Sequence, residues 1–368
     1  MKRRTFIETG AIGALGLGVY GCSTLGMGKV KVASEWTPLD LKTTVPKPVG
    51  TMPMGEIGKT GIRVSKFGFG SHISEEVRAH EKERQWMIRE AYDLGINLFD
   101  VYDIEGNSFQ YEPMGRHLAP VINDVVISIT MWPYDGRNVE QELERDMRLF
   151  GRDYIDMVRL HAHFSDSTDA TVVHNWRYWD NLFRLKEKGY IRAVGLPIHY
   201  QKELVEPLAK LPIDYVIMPF NFYHNWLWSA LRSDIDIDGT VKTLREKGVG
   251  VITMKPLASD WLALPFKRLG GRFDTTGEIS VAKSSLRYII NSGIDIDTTL
   301  GGMYNPYHVY ENVDAFFRPE MSPEERELLY KIRKKAKVVA GNHLPAHYRF
   351  LDDWAPDSCD DSDLFCIA

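Results

Sequence analysis

Between residues 66 and 317, short apolar runs rich in β-branched residues alternate with amphipathic helical runs. Parallel strands need a long crossover to return to the same edge of a sheet, and a helix is the usual crossover. Alternation of this kind is therefore the sequence pattern of repeated βα units. Strand patterns fall at Lys66–Gly70, Asn97–Phe99, Val125–Ile129, Ile155–Leu160, Ile191–Gly195, Tyr215–Met218, Val249–Met254 and Thr298–Leu300. Helical periodicity at Glu81–Leu94, Val139–Leu149, Asn175–Lys188, Gln201–Leu208, Gly239–Lys247, Val281–Ser292 and Tyr307–Phe316 separates or follows them. Eight strands interleaved with helices give the count of an α/β domain of the (β/α)8, or TIM barrel, type.

The flanks read differently. Residues 1–25 open with Lys2-Arg3-Arg4-Thr5-Phe6-Ile7 and continue into a Gly-rich apolar run over Ala11–Gly21. That run is too short to span a bilayer as a helix. The paired arginines before it read as a twin-arginine export signal, with a disordered basic tail as the alternative. Val19-Tyr20-Gly21-Cys22 has the form of a lipoprotein cleavage box, with simple cleavage after the apolar run as the alternative. The expected location is the periplasm or the cell envelope, with membrane anchoring if Cys22 carries lipid.

Residues 26–52 are a linker, Pro- and Thr-rich from Ser34 onward and without periodicity. The barrel domain is expected over 53–340 and an irregular tail over 341–368. Ser322 followed by Glu325 forms a capping box for an extra helix over Ser322–Ala340. Export would place Cys359 and Cys366 in an oxidising compartment, where they either pair as a disulfide or remain free thiols. With a net charge of −5 and no basic patch, nothing in the chain calls for a nucleic acid.

The stretch Leu98–Leu118, LFDVYDIEGNSFQYEPMGRHL, carries a carboxylate, Asp100, at the end of a buried strand pattern. In a βα barrel that end is the mouth, where side chains from several strands converge. The stretch resembles the FDTA-x-x-YG…E-x-x-LG-x-x-L signature of the aldo-keto reductases. Phe99-Asp100, Gly106 and Met114-Gly115-Arg116-His117-Leu118 align with it without a gap. Four more segments are similar to that family. Met54–Gly70 matches its opening hairpin, with Gly58 and Gly61 at the turn. The others are Tyr154–His161, Gly189–Gly195 and Gly302–Asn312, so the resemblance spans about Met54 to Phe317.

The resemblance implies hydride transfer between NADP(H) and a carbonyl. A Tyr donates the proton, a Lys lowers its pKa, an Asp pairs with the Lys, and a His orients the substrate oxygen. Asp100 matches the Asp and His161 the His, whereas the Tyr falls on Glu105 and the Lys on Met131. The catalytic set is then Asp100, Glu105 and His161. Glu105 either donates the proton, its pKa raised by burial beside Asp100 with no cation nearby, or faces water as a loop carboxylate. Tyr102 is the nearest alternative donor.

The cofactor positions depart from the family as well. Ser-Asn becomes Pro197-Ile198 and Gln becomes Ile217, which removes polar partners of the nicotinamide amide. Phe220 replaces the stacking Tyr. Asn221, Lys255 and Asn312 complete the cofactor candidates, Lys255 as a phosphate contact. Nicotinamide use is thereby in doubt.

Independently of the resemblance, His72, His161, His163, His199 and His224 follow strand patterns and share the rim with Asp100, Asp103 and Glu105, as a metal site or as ordinary surface groups. Trp132, Tyr134, Tyr223, Trp226 and Trp228 would line a pocket or pack the loops. The ligand is a small molecule or a protein partner. The alternatives to an oxidoreductase are a binding subunit on the same fold, as in potassium-channel β subunits, and a metal-dependent enzyme using the same mouth.

Overall fold

The computed structural model describes residues 46–70, 81–101, 111–131, 138–160, 176–198, 208–222, 237–257, 279–303 and 306–340. All of them lie in the unit Val32–Ala368, and the separate unit Met1–Lys31 falls outside the described residues. So do the linker up to residue 45 and the tail from residue 341.

A hairpin of β1 (Met54–Glu56) and β2 (Arg63–Ser65) precedes the barrel. Its turn needs left-handed backbone at Gly58 and Gly61, with φ of 51° and 72°. Glycine adopts that conformation without steric cost. Eight parallel strands then follow: β3 (Phe67–Gly70), β4 (Leu98–Val101), β5 (Val126–Met131), β6 (Ile155–Leu160), β7 (Ile191–Pro197), β8 (Tyr215–Pro219), β9 (Gly250–Met254) and β10 (Thr298–Gly302). They close in chain order, with β10 hydrogen-bonded to β3. The expected (β/α)8 barrel and hairpin are therefore present.

Around the strands lie α1 (Glu81–Asp93), α2 (Tyr111–Leu118), α3 (Val139–Phe150), α4 (Trp176–Glu187), α5 (Ile237–Glu246), α6 (Val281–Ile290) and α7 (Pro306–Phe317). Local chemistry sets their ends. Asn138 caps α3 by accepting from the N–H groups of Glu140 and Gln141, and Gly151 stops the helix with φ of 65°. An added helix, α8 (Pro323–Ala340), starts as the capping box predicts. The Ser322 N–H donates to Glu325 at 2.8 Å, and the Glu325 N–H donates to the Ser322 hydroxyl at 3.2 Å. The other Glu325 oxygen meets Arg287 of α6, which ties α8 to the barrel wall.

Strand residues alternate between two apolar clusters, as a period of two requires. Phe67, Phe69, Phe99, Ile127, Ile129, Met131, Val158, Leu160, Val194, Leu196, Val216 and Val251 pack outward with the helices. Leu98, Val126, Met157, Ala193, Tyr215, Ile217, Ile252 and Leu300 fill the lumen, together with Ile57, Ile62 and Val64 of the hairpin. The hairpin thus plugs the barrel floor.

Three carboxylates stitch the N-terminal ends of the strands. Asp156 accepts from the Ile127 N–H at 3.0 Å and pairs with Arg152 at 2.7 Å and Arg192 at 2.6 Å. Asp214 accepts from the Val194 N–H at 2.8 Å and meets Lys186. Asp297 accepts from the N–H groups of Gly58 and Val251 and pairs with Arg245. Each joins neighbouring elements at the floor, the end of a TIM barrel associated with stability rather than catalysis. Asn97, expected in the second strand pattern, sits just before β4. Its side chain instead accepts from the Ser65 N–H and donates to the Arg63 carbonyl.

Among the described residues no helix is long and apolar enough to cross a membrane.

Candidate active site

The mouth is built from the C-terminal ends of β4 to β10. Asp100 is the third residue of β4, and its alternation with Leu98 turns it into the lumen. Register places Asp100 beside Ser128, and Thr130 beside Arg159 of β6. These four side chains share the lumen face.

Arg159 closes on Asp100 as a fork. Nη1 donates to Oδ1 at 2.5 Å and Nη2 to Oδ2 at 3.0 Å. The Ser128 hydroxyl donates to the same Oδ1 at 2.6 Å and accepts from Arg159 Nη1 at 3.0 Å. Asp100 and Arg159 are 5% and 4% exposed, so the pair is shielded from solvent. A bidentate guanidinium–carboxylate contact of this kind is directional as well as strong.

The sequence reading took the mouth to lack a cation beside Asp100, because the family's Lys falls on Met131. The structure corrects that premise. Met131 packs in the outer apolar cluster, while Thr130 is the lumen-facing residue at that level of β5. The positive charge comes from Arg159 on the next strand. The charge of Asp100 is therefore offset at contact distance by Arg159.

Arg159 was missed as a site residue, although the signal was available. It interrupts an otherwise apolar strand end, Met157-Val158-Arg159-Leu160. A buried arginine requires a carboxylate partner. Period-two alternation from Met157 aims it into the lumen, where Asp100 was already placed.

Below the pair, Tyr215 of β8 is fully buried. Its ring lies against Gly195 of β7, the residue paired with it in register. Burial pushes the Tyr215 phenol well above its ordinary range. The charge of Arg159 works in the opposite direction, and Asp100 adds to the rise. The hydroxyl makes no close-geometry hydrogen bond, while Ser128 acts on it in the direction opposite to burial.

The cofactor candidates fall as follows. Pro197 and Ile217 are buried register partners on the lumen side, so the mouth is apolar where an amide would need donors and acceptors. Ile198 packs outward. Phe220 is fully buried with its ring 6.2 Å from that of Tyr288, and it would have to turn out to stack on a ligand. Asn221 donates its side-chain amide to the Lys255 carbonyl at 3.1 Å. Lys255 has a φ of 57°, the only positive value outside glycine among the described residues. Such backbone costs about 1 kcal/mol and persists where the surroundings enforce it. Glu311 and Asn312 are buried on α7, with the Asn312 amide facing Gly301 of β10. The residues present therefore fit a nicotinamide poorly at the carboxamide end and leave Lys255 and Asn312 as candidate contacts for the rest of a dinucleotide.

Glu105, His161, Tyr102, His72, His163, His199, His224, Asp103 and the pocket aromatics lie outside the described residues, as do Cys22, Cys359 and Cys366. Among the described residues no group of three or more His, Cys, Asp or Glu is placed to hold a metal.

A barrel of this topology with a floor hairpin and a carboxylate at the end of its second strand is the architecture of the aldo/keto reductases. The model of the Aldo/keto reductase family matches residues 66–334, and the chain belongs to that family. It is 24% identical over 319 residues to an L-galactose dehydrogenase of Arabidopsis thaliana, covering 79% of this chain and 96% of that one. It is 26% identical over 238 residues to the L-glyceraldehyde 3-phosphate reductase of Escherichia coli K12, covering 59% of this chain and 65% of the relative. In fold it is similar to an aldo-keto reductase from Klebsiella pneumoniae solved in complex with NADPH. There the TM-score is 0.56 at 17% identity, over 77% of this chain and 95% of the other.

Proposed function

We propose that this chain is an exported oxidoreductase of the aldo/keto reductase type whose active site is rebuilt around the Asp100–Arg159 ion pair. Glu105, at the position of the family's Tyr, is the proposed proton donor, and His161, at the position of its His, the residue that orients the substrate oxygen. The observation that carries the reading is the buried fork of Arg159 on Asp100 at the barrel mouth. A desolvated ion pair is costly to maintain in a lumen that could be filled with apolar side chains. Its position, at the end where barrel enzymes keep their chemistry, favours a retained reaction over a drifted scaffold.

The family generally uses NADP(H). When bound, that cofactor supplies or accepts the hydride, and in this chain Lys255 and Asn312 are the residues that would hold it, with Asn221 bracing the Lys255 backbone. Loss of the carboxamide partners at Pro197 and Ile217 weakens binding of cofactor from solution. The reading is of an enzyme loaded in the cytoplasm before export, since the twin-arginine route carries folded proteins, and it requires the remaining contacts to retain the cofactor. Export itself rests on Arg3, Arg4 and the apolar run after them, with Cys22 as the candidate lipid anchor.

The test is mass spectrometry of the denatured protein after purification from its own host. Turnover is then assayed with a panel that includes L-galactose and glyceraldehyde 3-phosphate, the compounds named by its relatives. A stoichiometric nucleotide together with turnover of a panel member is the expected result. A protein carrying no nucleotide and turning over nothing overturns the enzyme reading and leaves a binding subunit.

A further inference from the structure

We propose that Arg159 is a positioning residue of this site, a cation relocated from the third barrel strand to the fourth, which fixes Asp100 and the Ser128 hydroxyl for whatever reacts at the mouth. The inference deepens the reading above and rests on it for its functional half.

In the family pattern the Asp is matched by a Lys at the end of the third strand. Here that strand ends Ser128-Ile129-Thr130-Met131, and neither of its last two residues is charged. The charge reappears one strand over. Thr130 and Arg159 are register partners, so the guanidinium enters from the position next to the lumen-facing end of β5. Its two contacts to Asp100 and its third to Ser128 fix carboxylate and hydroxyl together. Tyr215, whose ring lies against Gly195, the register partner of Arg159, is near enough to feel the guanidinium charge. A guanidinium stays charged at every working pH, whereas a lysine in such a place titrates. The exchange therefore gives a fixed charge where the family has a tunable one.

The charge role is separable from packing. Among the described residues, the titratable groups facing Asp100 are Arg159 of β6 and Tyr215 of β8. At this level β3, β5 and β7 present Gly70, Ser128 with Thr130, and Gly195. Removing Arg159 leaves a buried carboxylate that is costly only when ionised, so the resulting loss of stability grows as the pH rises through and above the carboxylate range. Loss of packing alone is independent of pH.

The experiment compares wild type, R159Q, R159Q with T130K, and R159Q with M131K. Thr130 faces the lumen and Met131 does not, so only T130K can return a cation to Asp100. The thermal midpoint of R159Q is expected to fall below wild type by about 5–10 °C at pH 8.5 and by less at pH 5.5. T130K should recover part of that gap and M131K none. Turnover of the host-purified enzyme, with the panel member it accepts, should fall at least about tenfold in R159Q and return in part with T130K.

A stability gap that is the same at both pH values, or one recovered equally by M131K, overturns the charge role. Undiminished turnover in R159Q overturns the positioning role while leaving the oxidoreductase reading in place. A wild type without nucleotide or turnover overturns that reading and the positioning role with it, and the pH dependence then judges the ion pair alone. If R159Q does not fold, R159K replaces it. R159K keeps the charge but not the forked contact to Asp100 and Ser128, so its turnover should fall below wild type, and undiminished turnover in R159K overturns the positioning role.

Discussion

A Cβ added to Gly195 would lie 2.2 Å from the ring carbon that bears the Tyr215 hydroxyl. The absence of that one atom lets the Tyr215 ring lie flat across β7 with its hydroxyl among Arg159, Asp100 and Ser128. G195A should therefore destabilise the barrel by about 1–3 kcal/mol, the range for overpacking a tight core. Chemical denaturation should show a lower midpoint with an unchanged slope, and a midpoint equal to wild type would mean that β7 yields easily.

Tyr215 has an alkaline consequence. Burial keeps its phenol protonated in the fold to a pH at which the unfolded chain, at the ordinary 10.0, has begun to lose the proton. The fold then binds more protons than the unfolded chain, so the associated stability is present below pH 10 and lost as the pH climbs beyond it. Tyr310, raised by burial and by Glu90, adds to the same trend. Y215F should lose stability less steeply than wild type above pH 10 and lie within about 1 kcal/mol of it at pH 7, because the hydroxyl removed makes no close-geometry hydrogen bond. Parallel alkaline unfolding curves would contradict this.

The floor carboxylates should matter to folding and not to chemistry. D156N leaves Arg152 and Arg192 without their shared partner, and Arg152 is buried. A loss of about 3 kcal/mol is expected, the usual result of breaking a buried pair. In any preparation that folds, turnover per folded molecule should match wild type, and a selective loss of turnover would tie the floor to the site.

At the start of α8, S322A removes the hydroxyl that accepts from the Glu325 N–H and should cost about 1 kcal/mol. E325A should cost more, because the same carboxylate also holds Arg287 of α6. Equal effects of the two substitutions would show that the Arg287 contact adds nothing.

Export has its own test. Changing Arg3 and Arg4 together to Lys should leave the protein in the cytoplasm, as read by fractionation, and unaltered export would remove the twin-arginine reading.

The sequence by itself determined the barrel. Strand and helix periods are local properties, and eight alternations leave few ways to bury the apolar faces. Asp100 at the mouth, the Gly58–Gly61 hairpin and the Ser322–Glu325 box were legible for the same reason, each being fixed by neighbours within a few residues. What only the tertiary structure decided was pairing across the lumen. The partner of Asp100 is Arg159, 59 positions away in sequence, and which residue of Thr130 and Met131 faces that pair depends on strand register. Linear alignment counts residues without knowing which way each side chain points. A one-residue difference on a strand moves a side chain from the lumen to the helix layer, and that inversion separates a mouth without a cation from one with an arginine locked on its carboxylate.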